Sequence, residues 1–172
     1  MAIPKRRGKR DLVREVDDEK RYEQRIIELA RVTRVVKGGK RMRFRACVAI
    51  GSAREHSVGV GIAKGSDVAQ AIQKSTTQAE KAMHTIPLIR ETIPHTVWVK
   101  LGAAYLMLKP APRGTGVKAG GVVRTLCVLG GVPNVVGKML GSKNKINNAR
   151  AVLTAFDRLR KPVVVVEEPK NI

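Results

Sequence analysis

The chain has 172 residues, of which 43% are hydrophobic and only 3% aromatic, so its core must consist mainly of Val, Ile, Leu and Ala. Lysine and arginine number 34 against 14 Asp and Glu, and the net charge of +20 indicates a polyanionic partner. The longest uncharged run, 125–137, is too short to span a bilayer. An acidic patch follows the basic N terminus at the place where a signal peptide would have its apolar region. We therefore expect a soluble protein without a membrane segment or a secretory signal.

The charge is distributed unevenly along the chain. No acidic residue occurs between Glu91 and Asp157, although that span contains nine lysines and arginines. A surface selected only for solubility usually mixes both signs of charge. The distribution therefore strengthens the expectation of a polyanion.

Residues 1–20 are predicted to form a charged, poorly ordered arm. The segment that follows, RIIELARVTRVV, is ambiguous, because Ile26 and Leu29 suit a helix whereas Val32 and Val35 suit a strand. Composition alone predicts a helix or turn that passes into a strand.

Gly38–Gly39 is predicted to be the tip of a β-hairpin, because paired glycines supply the positive φ of tight turns. In the strand after it, apolar side chains occupy one face, and Arg41, Arg43 and Arg45 occupy the other at a spacing of about 7 Å. Such a row suits a row of phosphates. The structural alternative is a solvated edge that only discourages aggregation, but the charge of the whole chain favours phosphate binding.

The rest of the first domain is predicted to contain a loop at GSAREH, a third strand at SVGVGIAK and one amphipathic helix. Ser66 is assigned as the helix N-cap, and Asp67 is well placed beside the helix dipole. Small and apolar residues recur at helical spacing from Val68 to Met83. The first domain is thus an antiparallel sheet with one helix on it.

The second domain follows IPLIRETIPH, which we interpret as a link because it has two prolines and no clear period. TVWVKLGAAYLMLKPAP is predicted to form two strands around Gly102, AGGVVRTLCVLGG a helix that ends at the glycine pair, and VPNVVGKML a short strand. VVVVEEPKNI is a tail or an edge strand. Asn147 or Asn148 is predicted to cap a final helix that buries Val152, Leu153, Phe156 and Leu159.

Two glycine-rich segments resemble nucleotide-binding motifs but lack required residues. VKGGKRM has neither the earlier glycine nor the Ser or Thr after the lysine that a phosphate loop needs. GTGVKA, 114–119, fits G-x-G-x-x-A, but no acidic residue follows it until Asp157 to bind a ribose hydroxyl. An NADP-dependent enzyme could use a cation there and is kept as an alternative. A glycine-rich connection packed against RNA or protein is the simpler interpretation.

Other chemical groups are sparse. His56, His84 and His95 share no metal-ligand spacing, and no pair of carboxylates suits acid–base catalysis. Cys47 and Cys127 lie in separate apolar runs, so we expect buried free thiols and a reducing compartment. One Trp and two Tyr leave little for stacking on single-stranded bases. We expect no catalytic residue, metal, cofactor or small-molecule substrate.

RNA is preferred over DNA as the polyanion. The sequence shows no helix-turn-helix, zinc-finger or zipper pattern that would enter a major groove. A sheet-plus-helix module with basic loops fits the minor groove and backbone of A-form RNA. A free-standing double-stranded-RNA-binding factor is therefore a further alternative.

Four segments, in order, closely resemble bacterial small-subunit ribosomal protein five, and they cover most of residues 22–156. They are RVTRVVKGGKRMRFRACVAIG with the family's V-K-G-G hairpin, VGVGIAKGSDVAQAIQK, PAPRGTGVKAGGVVR, and GGVPNVVGKMLGSKNKINNARA with its G-S-x-N-x-x-N signature. The family usually has Gly where Ala63 stands and Ala where Gly65 stands. This difference concerns local turn geometry and not the resemblance itself.

The resemblance implies an α+β protein of two small domains. Residues 21–88 would be an antiparallel sheet with one helix, similar to a double-stranded-RNA-binding fold, and residues 89–162 a βαβ-type α/β sandwich. Residues 1–20 would be the basic arm and 163–172 a C-terminal tail. The resemblance also makes residues 22–36 the first strand, which we adopt over the helix.

The resemblance implies a structural constituent of the small subunit in cytoplasmic ribosomes that supports decoding accuracy. Its partners would be small-subunit ribosomal RNA, messenger RNA at the channel through which it enters, and ribosomal proteins four and eight, with protein three as a further candidate. The segment that would face protein four contains Arg113, Gly114, Thr115, Gly116 and Arg124. The residues expected to bind RNA, from charge pattern and resemblance together, are Arg34, Lys37, Gly38, Gly39, Lys40, Arg41, Arg43, Arg45, Lys64, Lys74, Lys118, Lys138, Lys143, Asn144 and Lys145.

Overall fold

The computed structural model describes residues 22–160, so the predicted arm and tail lie outside the described residues. The elements of the first half are β1 (Glu23–Val36), β2 (Gly39–Ser52), β3 (Ser57–Gly65), α1 (Val68–Lys81) and β4 (Met83–Thr85). Those of the second half are β5 (Val97–Leu101), β6 (Ala104–Pro110), β7 (Val117–Lys118), α2 (Gly121–Leu129), β8 (Val135–Leu140) and α3 (Lys145–Asp157). No helix within this part of the chain is long and apolar enough to cross a membrane.

The segment 22–36 is a strand, as the resemblance implied, and the helical interpretation from composition is wrong. β1 pairs with β2 in antiparallel register over almost its whole length. This pairing satisfies the backbone of a segment whose intrinsic preference is undecided. The two-residue turn is Lys37–Gly38, one residue earlier than predicted, and Gly39, at φ +142°, begins β2.

Sheet 1 has the strand order β1-β2-β3-β4 among the described residues, and α1 packs on one of its faces. The backbones of β3 and α1 approach so closely that a Cβ at Gly61 would overlap the Ser75 carbonyl oxygen. The buried Ser75 hydroxyl donates to Ala46 O (3.0 Å) and accepts from Ala63 N (3.1 Å). One hydroxyl therefore joins α1 to both β2 and β3.

The ends of α1 differ from the prediction. Asp67, and not Ser66, is the N-cap, since its carboxylate accepts from Ala69 N at 3.4 Å, whereas Ser66 bonds to Gln70. The helix ends at Lys81, so Met83, which was expected on its apolar face, lies in β4.

The two positions that depart from the family pattern both lie on the α1-facing side of β3. Ala63 is opposite Ala46, and Gly65 is opposite Phe44. A Cβ at Gly65 would lie 2.6 Å from Ala71 N. The glycine thus allows the first turn of α1 to lie directly against the end of β3.

Sheet 2 has the order β5-β6-β8-β7 in the described part of the chain. β5, β6 and β8 are antiparallel, whereas β7 and β8 are parallel and joined by α2, which forms the predicted βαβ unit. Gly102, at φ +57°, turns β5 into β6 as expected. The fold class, α+β with two small domains, is confirmed.

The final helix, α3, begins three residues earlier than predicted. Asn144 is its N-cap, because its side-chain oxygen accepts from Ile146 N at 3.0 Å, so the assignment to Asn147 or Asn148 is wrong. Asn148 is buried and donates from Nδ2 to Ser142 O at 3.0 Å. The predicted apolar face is largely confirmed by the burial of Val152, Phe156 and Leu159, with Leu153 half-buried.

The two sheets share one core. Cys47 and Ala49, on the side of sheet 1 that faces away from α1, are buried in the same cluster as α2 and α3. Gly51 contacts α2 so closely that a Cβ there would lie 2.7 Å from Leu129 O. A second link is polar, since His84 Nδ1 lies 2.6 Å from a carboxylate oxygen of Asp157. These contacts fix the two sheets relative to each other.

Candidate nucleic-acid interface

Five cations lie on the face of sheet 1 turned away from α1. Arg41, Arg43 and Arg45 alternate along β2, which pairs with β1 without a register shift over this stretch. Arg34 of β1 is opposite Arg41, and Lys64 of β3 is opposite Arg45. Opposite residues of an antiparallel pair share a face. We call these five side chains the arginine face.

Most of the arginine face is uncompensated. Arg34, Arg41, Arg43 and Lys64 are exposed, and within residues 22–160 none of them has an ion-pair partner. Arg45 is half-buried and lies 3.4 Å from a Glu28 carboxylate oxygen, so its charge is partly neutralised. Like charges held this close repel one another, and an anion that binds between them relieves the repulsion.

The four exposed cations surround a depression. Arg34, Arg41, Arg43 and Lys64 border a volume of about 290 Å³, together with Val32 and Thr33. Donors from β1, β2 and β3 thus converge on one site on this face of the sheet. Arginine forks and lysine ammonium groups in this arrangement suit phosphate oxygens.

The same face of β2 continues into the core. Arg41, Arg43 and Arg45 are followed at the same period by Cys47 and Ala49, which are buried against the second domain. One face of a single strand is therefore a charged surface at its outer end and an interdomain contact at its inner end. The change from cations to apolar residues at period two was visible in the sequence, but its meaning was not recognised.

The other predicted RNA-binding residues of the first domain lie outside the arginine face. Lys37 and Gly38 form the turn, and Lys40 is opposite Val35, on the side of the hairpin that α1 occupies further down. Lys74 is exposed on the outer surface of α1. The structure does not bring these residues together with the arginines.

The predicted residues of the second domain occupy further surfaces. Lys118 and Lys138 are exposed on β7 and β8. Lys143 and Lys145 border a cleft of about 490 Å³ between the start of α3 and β1. Asn144, between them, already uses its side chain as the cap of α3.

The predicted protein-contact segment is a loop that leads into β7. Gly114 (φ +84°) and Gly116 (φ +69°) adopt conformations that other residues rarely adopt. Arg113 pairs with Glu91 at 3.3 Å, and both are exposed. Arg124 is exposed on α2. The GTGVKA motif is not a strand-to-helix turn, because its own residues 117–118 form β7.

Asn134 organises this loop and was missed from the sequence. It is buried, its Oδ1 accepts from Gly116 N at 3.1 Å, and its Nδ2 donates to Glu91 O at 3.3 Å. Its backbone oxygen accepts from the Thr92 hydroxyl at 2.7 Å. The only signal in the sequence is one amide within the apolar run VPNVV.

The thiols offer no nucleophile. Burial raises the pKa of Cys47 to about 11 and the pKa of Cys127 to about 12, and both are free. The thiolate is the reactive form of cysteine, so both groups are inert at neutral pH. Among the described residues, no three His, Cys, Asp or Glu side chains are grouped closely enough to hold a metal ion.

Family models match both halves of the chain. Residues 22–87 match "Ribosomal protein S5, N-terminal domain", and residues 99–168 match "Ribosomal protein S5, C-terminal domain". The chain belongs to the ribosomal protein S5 family.

Individual S5-family proteins are similar over most of their length. The small ribosomal subunit protein uS5 of Synechococcus elongatus is 47% identical over 145 residues, which are 84% of this chain and 80% of that protein. The uS5 protein of Thermosynechococcus vestitus is 45% identical over 156 residues, 90% of this chain and 89% of that protein. The uS5c protein of Pyropia yezoensis is 46% identical over 145 residues, 84% and 83% of the two chains.

Membership of the S5 family establishes the broad role of the chain. It is a structural protein of the small ribosomal subunit, part of a ribonucleoprotein that acts in translation, and its place is the ribosome in the cytoplasm. It is not an enzyme, so the NADP-dependent alternative is wrong.

Proposed function

We propose that the chain binds small-subunit ribosomal RNA through the arginine face. The observation that carries the proposal is the position of five cations on one side of sheet 1, four of them exposed and without an ion-pair partner among residues 22–160. A folded RNA supplies the negative charge that the described part of this surface lacks. Neutralisation of its phosphates releases condensed counterions, which is the main source of affinity.

The hairpin extends this contact. Lys37, Gly38, Gly39 and Lys40 lie at its tip, where the absence of side chains on two successive residues lets the backbone approach RNA closely. The interdomain core holds the hairpin at a fixed angle to the second domain. RNA segments bound at the arginine face and at the second domain would therefore be held in register.

We also propose protein contacts for the second domain. Arg113–Gly116 and Arg124 would contact ribosomal protein four, where their contribution to decoding accuracy arises, and the domain would contact protein eight, with protein three as a further neighbour. The positive φ angles of Gly114 and Gly116, together with the hydrogen bond from Gly116 N to Asn134, favour one defined shape of this loop, which a protein contact needs. Its cations would also lie near the channel through which messenger RNA enters.

Replacement of one arginine tests the RNA contact. Arg43→Glu places a carboxylate in the centre of the arginine face and should weaken association with small subunits, so that the variant dissociates at a lower salt concentration than the wild type. The measurement is the fraction of tagged full-length chain that co-sediments with assembled small subunits over a salt series. Arg54→Glu, an exposed change in the loop between β2 and β3, is the matched control and should retain association.

Two outcomes would contradict the proposal. One is a wild-type chain that sediments free of small subunits and RNA at moderate salt. The other is an unchanged profile for Arg43→Glu. Equal binding of the wild type to ribosomal and arbitrary RNA duplexes at fixed salt would instead favour a free-standing double-stranded-RNA-binding factor.

A further inference from the structure

Sheet 2 has one uncovered face within the described residues. α2 and α3 cover the side on which Val99, Leu106 and Leu108 are buried. The opposite side, which we call the outer face, carries Trp98 and Lys100 on β5, and the register adds neighbours from β6, β8 and β7. These further members are Tyr105, Met107, Lys109, Val136, Lys138, Leu140 and Lys118.

Two aromatic rings lie together on the outer face. Trp98 and Tyr105 have ring centroids 5.6 Å apart at an interplanar angle of 41°. Their exposed fractions are 48% and 39%, although large aromatic rings are ordinarily buried. Leu140, directly opposite Tyr105, is 43% exposed and extends the apolar surface. The rings are supported from one side by the sheet and open on the other.

The charged groups around the rings are cations. Every charged residue of the outer face is a lysine. Beside Trp98, the residues Arg158, Arg160 and His95 border a depression of about 550 Å³. Arg158 Nη1 also donates to Trp98 O at 3.4 Å, which holds the guanidinium near Trp98. The one acidic residue nearby in sequence, Asp157, pairs with His84.

We propose that the outer face is a second RNA-binding site, which takes single-stranded RNA by stacking bases on Trp98 and Tyr105. Lys100, Arg158 and Arg160 would neutralise the phosphates that flank the stacked bases. This combination of aromatic rings on an open sheet with cations at the margin is the chemistry of single-strand recognition. A protein segment is the less favoured occupant, because the described outer face offers no carboxylate to pair with a partner's basic residues.

The site differs in chemistry from the arginine face, which binds phosphates and has no aromatic ring. The proposal for the outer face and the proposal for the arginine face can therefore be tested independently. The low number of one Trp and two Tyr argued against stacking, but the sequence does not reveal that the only Trp and one of the two Tyr meet on one open surface.

The single tryptophan makes the proposal directly measurable, because Trp98 alone supplies the indole fluorescence of the full chain. The probes are a single-stranded RNA of about ten nucleotides and an abasic ribose–phosphate chain of the same length and charge. Only the RNA should quench Trp98 saturably, and it should bind about tenfold more tightly than the abasic chain. Free tryptophan amide corrects for absorbance by the RNA.

Variants separate stacking from charge. Because variants at Trp98 lack the indole, their affinities are measured by the fluorescence anisotropy of dye-labelled probes. Trp98→Ala should lose about tenfold in RNA affinity and bind both probes about equally, whereas Trp98→Phe should retain most of the preference for bases. Arg41→Gln combined with Arg43→Gln changes only the arginine face. The quench of Trp98 at saturating RNA should therefore be unchanged, whether or not the arginine face binds RNA. Thermal melts by circular dichroism verify that each variant is folded.

Four results would overturn the proposal. Three concern RNA binding, and they are equal affinity of the wild type for RNA and the abasic chain, unchanged fluorescence at saturating RNA, and wild-type affinity in Trp98→Ala. If Trp98 is shielded from a soluble quencher only after ribosomal proteins are added to the chain, the outer face is a protein contact and the proposal is wrong.

Discussion

At the scale of single residues, the glycines of β3 determine how closely α1 lies on sheet 1. In a sequence, glycines inside a strand ordinarily indicate a weakened strand. The structure shows a different role, since a Cβ at Gly61 would overlap the Ser75 carbonyl oxygen and lie 2.8 Å from Ala79 N. The distance between helix and sheet depends on tertiary packing, so the pattern V-G-V-G alone could not reveal it.

Gly61→Ala should therefore destabilise the protein. The added methyl must push the backbone of α1 off the sheet, and we expect a loss of about 3 kcal/mol in the free energy of unfolding. Gly38→Ala is the matched control, because a Cβ there has no atom within 4 Å and φ is not positive, so the change should stay below about 1 kcal/mol. Urea denaturation measures both, and equal effects would contradict the packing argument.

At the scale of elements, the sequence predicted most helices and strands but misplaced their ends. β2, β3, β5, β6, α2 and β8 appear where the patterns indicated. The caps of α1 and α3 were wrong because each of these two helix starts offers several neighbouring Ser, Asp or Asn residues, and only the local backbone decides which one reaches a free amide. β1 was undecided from composition because its pairing with β2, and not its propensity, makes it a strand.

The cap of α3 can be tested with two asparagines three residues apart. Asn144→Ala removes the side chain that accepts from Ile146 N at 3.0 Å and should cost about 1 kcal/mol of unfolding free energy. Asn147→Ala, within the first turn, should change stability by less than about 0.5 kcal/mol. Thermal unfolding of the two variants side by side gives the comparison. A larger loss for Asn147→Ala would mean that the cap is misassigned.

At the scale of the whole molecule, charge and core have separate roles. The shared core of the two sheets consists mainly of apolar side chains and fixes their relative position. The cations lie on surfaces that this core orients. The sequence predicted the row at Arg41, Arg43 and Arg45 from alternation alone, because period two follows directly from the pleat. It could not predict that Arg34 and Lys64 join them, since the register of β1 depends on the turn at Lys37–Gly38 and that of β3 on the loop 53–56.

The other predicted residues lie on several surfaces, because the tertiary structure determines which side chains share a surface. Lys74, Lys138 and Lys143 are cations of the acid-poor chain, but sequence distance does not indicate which surfaces face the same partner. Asn134 and the Trp98–Tyr105 pair were missed because their roles arise from contacts across elements. Local periodicity therefore predicted the arginine row, whereas the loop and the outer face required the tertiary structure.

The salt dependence of binding to small-subunit ribosomal RNA tests the central claim most directly. The slope of log K against log salt is negative, and the double variant Arg41→Gln/Arg43→Gln should reduce its magnitude by about two, since each phosphate contact contributes about 0.9. The matched double variant Arg54→Gln/Lys81→Gln removes the same charge elsewhere and should leave the slope at its wild-type value. Equal slopes for the two double variants would show that the cations act only through net charge, and the arginine face would not be the RNA-binding site.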